Sequence, residues 1–206
     1  MKTEVLSATS PENLSLALQI LKEGGIVAFP TDTVYGLGAS VHHARAIARV
    51  YEAKERSRDN PIPILIANML DLRRVALSPP TMARRLAKRF WPGPLTLVVW
   101  RKPTLPEEIS VLSTVGIRVP DHPVAQALLT IAGPLAVTSA NRSGDPVACT
   151  AQEVFEGLEG RIDLILDGGR TPGGEPSTVV DCTRASPRIL REGPISEAEI
   201  REVLMR

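Results

Sequence analysis

Cysteine, histidine and aromatic residues are all scarce in this chain, and each scarcity removes a class of function. The two cysteines, Cys149 and Cys182, share no Cys-x-x-Cys, and His42, His43 and His122 lack the spacing of metal ligands. That excludes a disulfide framework and a structural zinc site, and it predicts no metal held by protein side chains. Aromatics make up only 3% of the residues. An RNA-binding sheet built on aromatic stacking is therefore out, and the core must come from Val, Ile, Leu and Ala. No apolar run approaches the roughly 18 residues that span a bilayer, and the start of the chain lacks the apolar stretch of a signal peptide. The expectation is a reducing, cytoplasmic protein with no membrane partner.

What is present is ordinary globular material. Of 206 residues, 43% are apolar and 23% charged, enough to bury a core and close to the size of one domain. The net charge of +1 hides an asymmetry. Residues 45–102 carry thirteen Lys or Arg against four Asp or Glu, whereas the remainder carries eleven against nineteen. Such a segment suits an anionic partner, nucleotide or nucleic acid, or else it is the solvated surface of helices.

Ser10 and Pro11 open a first helix that carries Leu14, Leu18 and Leu21 and stops at Gly24-Gly25. Apolar runs at 26–29, 62–67, 95–100, 116–119, 135–137, 162–166 and 178–180 read as strands. Helical patterns at 44–53, 71–76, 81–90, 124–132 and 151–158 alternate with them. Thr150 with Glu153, and Ser196 with Glu199, form capping-box signatures, the second opening a terminal helix. Alternation argues an α/β fold, and the close spacing of several strands argues a mixed sheet. Residues 31–40 read as a polar, Gly-containing connection, and residues 168–176 as a lid or binding loop.

Two known nucleotide loops fail. Residues 168–173 have the spacing that opens a P-loop, but Gly174 and Glu175 stand where Lys and Ser or Thr are needed; Gly36-Leu37-Gly38 lacks the third glycine of a dinucleotide turn. A phosphate would have to be held by side-chain cations. Lys54 and Arg56, two apart, share one face on extended backbone and could clamp a polyphosphate, or they could be a charged helix end. Ser139 and Asn141 follow an apolar strand with a small Ala140 between them, as a ligand-facing pair or as a turn that satisfies its own backbone. Residues 29–38 crowd hydroxyls, a carboxylate, a Tyr and two glycines after a strand end.

Taken in order with Ser177-Thr178-Val179-Val180-Asp181 and Leu190-Arg191-Glu192-Gly193, these motifs resemble the threonylcarbamoyl-AMP synthase family, the YrdC-type domain in its single-domain TsaC-like form. The resemblance runs over about residues 14–195. It implies a single YrdC-like domain over 1–206, with a strongly twisted, mainly mixed sheet flanked by helices and a short terminal helix at 196–205. It also implies an L-threonylcarbamoyladenylate synthase, a nucleotidyltransferase that turns L-threonine, bicarbonate and ATP into threonylcarbamoyl-AMP and pyrophosphate. Mg²⁺ would accompany the ATP, and a downstream tRNA threonylcarbamoyl transferase would complete the threonylcarbamoyladenosine modification of tRNA.

By the same resemblance, Lys54, Arg56, Ser139 and Asn141 hold ATP at the catalytic centre. Asn60, Thr114 and Arg191 match further nucleotide contacts, and Thr33, Arg118 and Ser177 match threonine contacts. Arg118→Lys would then weaken threonine alone and Arg191→Lys would weaken ATP alone. Two positions depart from the pattern: Leu65 stands where a His is frequent, and Val147 where a Ser is. Other readings are a double-stranded RNA-binding or ribosome-associated module of the same fold, for which weak RNA binding would be the sign, and a carbamoyl-transfer accessory domain.

Overall fold

A computed structural model describes residues 2–205. The chain begins with β1 (Glu4–Ser7), α1 (Pro11–Lys22), β2 (Val27–Phe29), β3 (Gly36–Ser40), α2 (Ala44–Lys54) and β4 (Ile64–Leu65). Next come α3 (Leu72–Val75), α4 (Thr81–Phe90), β5 (Leu95–Trp100), β6 (Thr114–Arg118), α5 (Pro123–Ala132) and β7 (Leu135–Ser139). The last part holds α6 (Ala151–Leu158), β8 (Leu164–Asp167), β9 (Thr178–Asp181), β10 (Arg188–Arg191) and α7 (Glu197–Met205). Helix starts follow the caps in the sequence. Ser10 accepts from the Asn13 N–H, and Thr150 and Glu153 close a full capping box.

The ten strands form one sheet in the order β1-β8-β2-β3-β7-β4-β6-β5-β9-β10. Four neighbouring pairs run parallel (β1 with β8, β2 with β8, β4 with β6, β5 with β9) and the other five antiparallel, so the sheet is mixed as expected. Side chains alternate across it. Val27, Phe29, Leu135, Val137, Leu164 and Leu166 pack with Leu128 and Leu129 of α5 on one face, whereas Ala28, Ala136 and Ile165 join the larger cluster on the other. Among the described residues, no helix is long and apolar enough to cross a membrane.

Three strands lie where no apolar run announced them. The stretch at 36–40 is not a connection but the buried strand β3. Its glycines are there for space: a Cβ on Gly36 would stand 2.7 Å from a Val137 methyl, and one on Gly38 3.0 Å from the Phe29 ring. β1 and β10 occupy the two edges, where exposure removes the hydrophobic signal. The helix expected at 71–76 is divided into a 3₁₀ turn at Met69–Asp71 and a single α turn, because the Asn68 side chain caps the Leu70 N–H and opens the segment earlier.

Candidate functional site

Helices α1 and α5 cover one face of the sheet beside β8, β2, β3 and β7. The same face of β6, β5, β9 and β10 lines a cavity of about 540 Å³. Alternation places Thr96 and Val98 of β5, Thr114, Gly116 and Arg118 of β6, and Val179 and Asp181 of β9 on it. Gly116 keeps this floor low: a Cβ there would meet the Thr96 methyl at 2.9 Å.

Cations dominate the lining. Arg56, Arg118, Arg184, Arg188 and Arg191 face the cavity, with Asp181 as the one carboxylate among the described residues. Asp181 is already engaged, accepting from the Thr183 hydroxyl at 2.6 Å and from Arg184 at 3.3 Å. The edge strand contributes two of the arginines through an irregularity. The register shift between Ile189 and Arg191 lets Arg188, Leu190 and Arg191 all line the site, which a regular strand could not do.

The guanidiniums repel one another. Burial lowers the Arg191 pKa first, and the Arg118 and Arg56 charges lower it further. Burial likewise lowers that of Arg56, with Tyr51 opposing. An anion bound among them would offset that repulsion, so the charge of the lining suits an anionic ligand.

Seven of the ten residues singled out from the sequence line this cavity: Thr33, Arg56, Thr114, Arg118, Ser139, Ser177 and Arg191. Lys54, Asn60 and Asn141 do not. The extended Lys54-x-Arg56 pair is corrected, because Lys54 is the last residue of α2 and Glu55 adopts φ +53°. The Arg56 N–H bonds back to the Tyr51 carbonyl, closing the helix in a Schellman-type turn. That turn sends Lys54 inward and Arg56 to the cavity. The Lys54 ammonium is buried, 1% exposed, and donates to the Ser139 carbonyl at 2.6 Å and to the Asn141 carbonyl.

Ser139 and Asn141 also part company. Asn141 turns aside and donates to the Arg142 and Asp145 carbonyls, leaving its Oδ1 buried without a partner among the described residues. Asn60 is exposed, and its carbonyl accepts from Arg56 Nε at 2.9 Å. Leu65 lines the cavity, so the first departure from the family pattern sits at the site.

One wall is assembled from residues far apart in sequence. Arg118 donates from Nη2 to Asp32 at 2.6 Å, from Nη1 to the Thr33 hydroxyl at 3.0 Å and from Nε to the Gly93 carbonyl. Ser177 shares a 2.7 Å hydroxyl contact with Thr96, and its carbonyl accepts from Arg191 Nε and Nη2. The 168–176 loop closes against this wall, since a Cβ on Gly173 would fall 2.2 Å from the Thr33 carbonyl oxygen. Asp32, Thr96, Arg184 and Arg188 were not among the candidates. Asp32 sits in the crowded 29–38 segment, but no spacing rule pairs it with Arg118, and the bulge that brings in Arg188 leaves no trace in the sequence.

A cavity of this kind, on the open face of a mixed α/β sheet and lined by five arginines, marks an α/β protein whose site suits anionic ligands. Its place among known proteins is specific. The chain belongs to the Sua5/YciO/YrdC family, whose model, described as telomere recombination, matches residues 19–193.

The threonylcarbamoyl-AMP synthase of Bacillus subtilis strain 168 is 44% identical over 205 residues, covering 98% of this chain and 59% of that protein. The chain thus spans about three fifths of that relative. A putative threonylcarbamoyl-AMP synthase of Mycobacterium tuberculosis H37Rv is 41% identical over 98% of this chain and 95% of its own length. The crystal structure of P. abyssi Sua5 complexed with L-threonine superposes with a TM-score of 0.94 at 41% identity, over 99% of this chain and 61% of that one. The YrdC-type resemblance and the mixed α/β fold read from the motifs agree with these relatives.

Proposed function

We propose that this chain is an L-threonylcarbamoyladenylate synthase, a nucleotidyltransferase that makes threonylcarbamoyl-AMP and pyrophosphate from L-threonine, bicarbonate and ATP. The observation that carries the reading is the convergence of Arg56, Arg118 and Arg191 on one cavity that also presents Thr33, Ser139 and Ser177. A carboxylate and a polyphosphate are the two anions such a site must hold together.

In this reading the threonine amine condenses with bicarbonate, releasing water and leaving a carbamate. A carbamate oxygen then attacks the α-phosphorus of ATP, the bond from that phosphorus to the bridging oxygen breaks, and pyrophosphate leaves with the electron pair. No covalent bond to the protein is needed. The work left to the site is alignment of two anions that repel each other and neutralisation of charge on the departing pyrophosphate. Arg56, Arg191, Thr114 and Ser139 serve the nucleotide side; Arg118, Thr33 and Ser177 serve threonine.

Mg²⁺ enters this scheme with the nucleotide, as counterion of its phosphates. Asp181, the carboxylate of the lining among the described residues, is engaged by Thr183 and Arg184. The product is a mixed anhydride that needs a nucleophilic acceptor, and in this reading a transferase that hands the threonylcarbamoyl group to tRNA is the downstream partner. Two free, buried thiols, Cys149 and Cys182, support a reducing cytoplasmic setting. The test is pyrophosphate release with threonine and bicarbonate omitted in turn and no tRNA present. Release that persists without threonine, or formation of ADP, rejects the proposal.

A further inference from the structure

The mechanism leaves one buried cation unused. Lys54 ends α2 beneath the cavity, 1% exposed and absent from its lining. Its ammonium donates to the carbonyls of Ser139 and Asn141, two residues whose carbonyls flank Ala140. The connection is made in both directions: the Ser143 N–H donates to the Lys54 carbonyl at 2.8 Å, and the Ala140 N–H donates to the Tyr35 carbonyl at 2.8 Å. Residues 139–143 therefore form an arch tied to a helix end on one side and to the start of β3 on the other. Ser139 is the arch residue whose side chain reaches the cavity.

We propose that Lys54 is a positioning residue for the nucleotide site: it clasps the 139–141 arch through two main-chain carbonyls, sets the place of the Ser139 hydroxyl, and makes no contact with the nucleotide. The inference rests on the nucleotide reading above and assigns Lys54 a different task from Arg56.

The residue type fits the task. Two carbonyls flanking a small residue suit a compact ammonium with three N–H donors on a long stem, which lysine supplies from a helix end in little space. Removing the ammonium leaves two part-buried acceptors without their lysine donor, so the arch must shift or admit water. Arg56, two residues on, is outside the turn, bonded to the Asn60 and Pro61 carbonyls, and lines the cavity. The Lys-x-Arg pair thus combines one internal clasp with one ligand-facing cation. In the competing arrangement the third ammonium proton reaches a phosphate, and it makes opposite predictions below.

The variant-free experiment is NMR of protein labelled with ¹⁵N-lysine and ¹⁵N-arginine, titrated with Mg·ATP. The Lys54 Nζ resonance is expected to stay in place while the Arg56 Nε resonance moves; a Lys54 Nζ shift as large as that of Arg56 overturns the proposal. The second experiment is a cycle of ATP dissociation constants for wild type, Lys54→Met, Ser139→Ala and the double variant. Clasping predicts that Lys54→Met weakens ATP about tenfold in the wild-type background and less than about twofold once the Ser139 hydroxyl is gone. Equal factors in both backgrounds mean a direct contact and overturn it. A purely structural lysine would lower thermal stability in both backgrounds and leave the ATP affinity of the folded protein unchanged. Wild-type protein with no ATP affinity rejects the nucleotide reading itself, and is told apart by the absence of any Arg56 shift.

Discussion

The Arg118 guanidinium lies 2.6 Å from the Asp32 carboxylate, and their side chains are only 7% and 10% exposed. Two roles meet at Arg118, a structural ion pair and a cavity-facing guanidinium. Asp32, the Thr33 hydroxyl and the Gly93 carbonyl fix the guanidinium, which still lines the cavity. Burial lowers the Arg118 pKa and the Asp32 charge opposes that shift. Lysine cannot serve three acceptors in different directions and also offer a planar fork. We expect Arg118→Lys to raise the threonine KM at least about tenfold with little change for ATP, and Asp32→Ala to cost about 3 kcal/mol of stability by stranding a buried cation. Steady-state kinetics and urea unfolding check the two; an unchanged threonine KM in Arg118→Lys rejects the clamp.

Arg191 is the second arginine of that wall, and its geometry alters the expectation drawn from the family. Its Nε and Nη2 both donate to the Ser177 carbonyl, at 3.0 and 2.7 Å, and Nη2 reaches the Ser177 hydroxyl at 3.2 Å. A residue assigned to ATP thus holds a residue assigned to threonine. Arg191→Lys should therefore raise both KM values, within about threefold of each other, and not that of ATP alone. Kinetics with each substrate varied in turn decide this, and a selective loss of ATP would restore the separate roles.

For Arg56→Ala the expected loss is about 2 to 4 kcal/mol of transition-state stabilisation, roughly 30- to 1,000-fold in rate, from removing a cation that faces developing phosphate charge. Folding should hold, since its side-chain bonds among the described residues go to the Asn60 and Pro61 carbonyls of the following loop. Circular dichroism with single-turnover rates checks both halves. Lys54→Ala should differ, losing stability because its donor satisfies two part-buried carbonyls.

The basic middle segment should bind RNA only weakly. Lys54 and Arg56 belong to the site, Arg49 pairs with Asp163, Arg74 pairs with Asp71, and Arg85 bonds carbonyls of α7. What remains is scattered, with Arg73, Arg84, Lys88 and Arg89 exposed on two helices. Affinity should fall about tenfold or more between about 50 and about 200 mM salt, as it does for a few phosphate contacts. Tight, salt-resistant binding in a gel-shift titration would favour the RNA-module reading.

The legible parts of this protein are those where one residue decides locally. Ser10, Thr150 and the Gly24-Gly25 stop set helix ends, and β5 and α4 fall on the residues their hydrophobic period indicated. β3 was hidden because Gly36 and Gly38 look like a loop until Val137 and Phe29 are packed against them. The same limit governs the site. Residue types at 54, 56, 139 and 141 pointed to the right region, but direction depends on backbone that a spacing rule cannot supply. One left-handed residue, Glu55, turns Lys54 away from Arg56, and one bulge brings Arg188 to Arg191. Asp32 and Arg118 are 86 residues apart, so their pairing is a property of the tertiary fold.

A final prediction concerns alkaline stability. Burial, with the Arg56 charge nearby, pushes the Lys54 pKa down to about 8 from the ordinary 10.5. Below about pH 8 the lysine is charged in both folded and unfolded chains, and the full cost of burying the charge is present. Between about 8 and 10.5 the unfolded chain binds more protons than the folded one, so stability rises with pH across that window through this group. Cys182 and Tyr35 act in the opposite sense, since burial raises both to about 12 and the unfolded chain loses those protons first. Comparison with Lys54→Met cancels their contribution, because the variant keeps both. Urea midpoints of wild type relative to Lys54→Met should therefore increase between pH 7.5 and pH 10, values chosen to bracket the lower end of the window. A wild type that loses ground to the variant over that range would show that the clasped ammonium keeps its proton, held by the Ser139 and Asn141 carbonyls more strongly than burial opposes it.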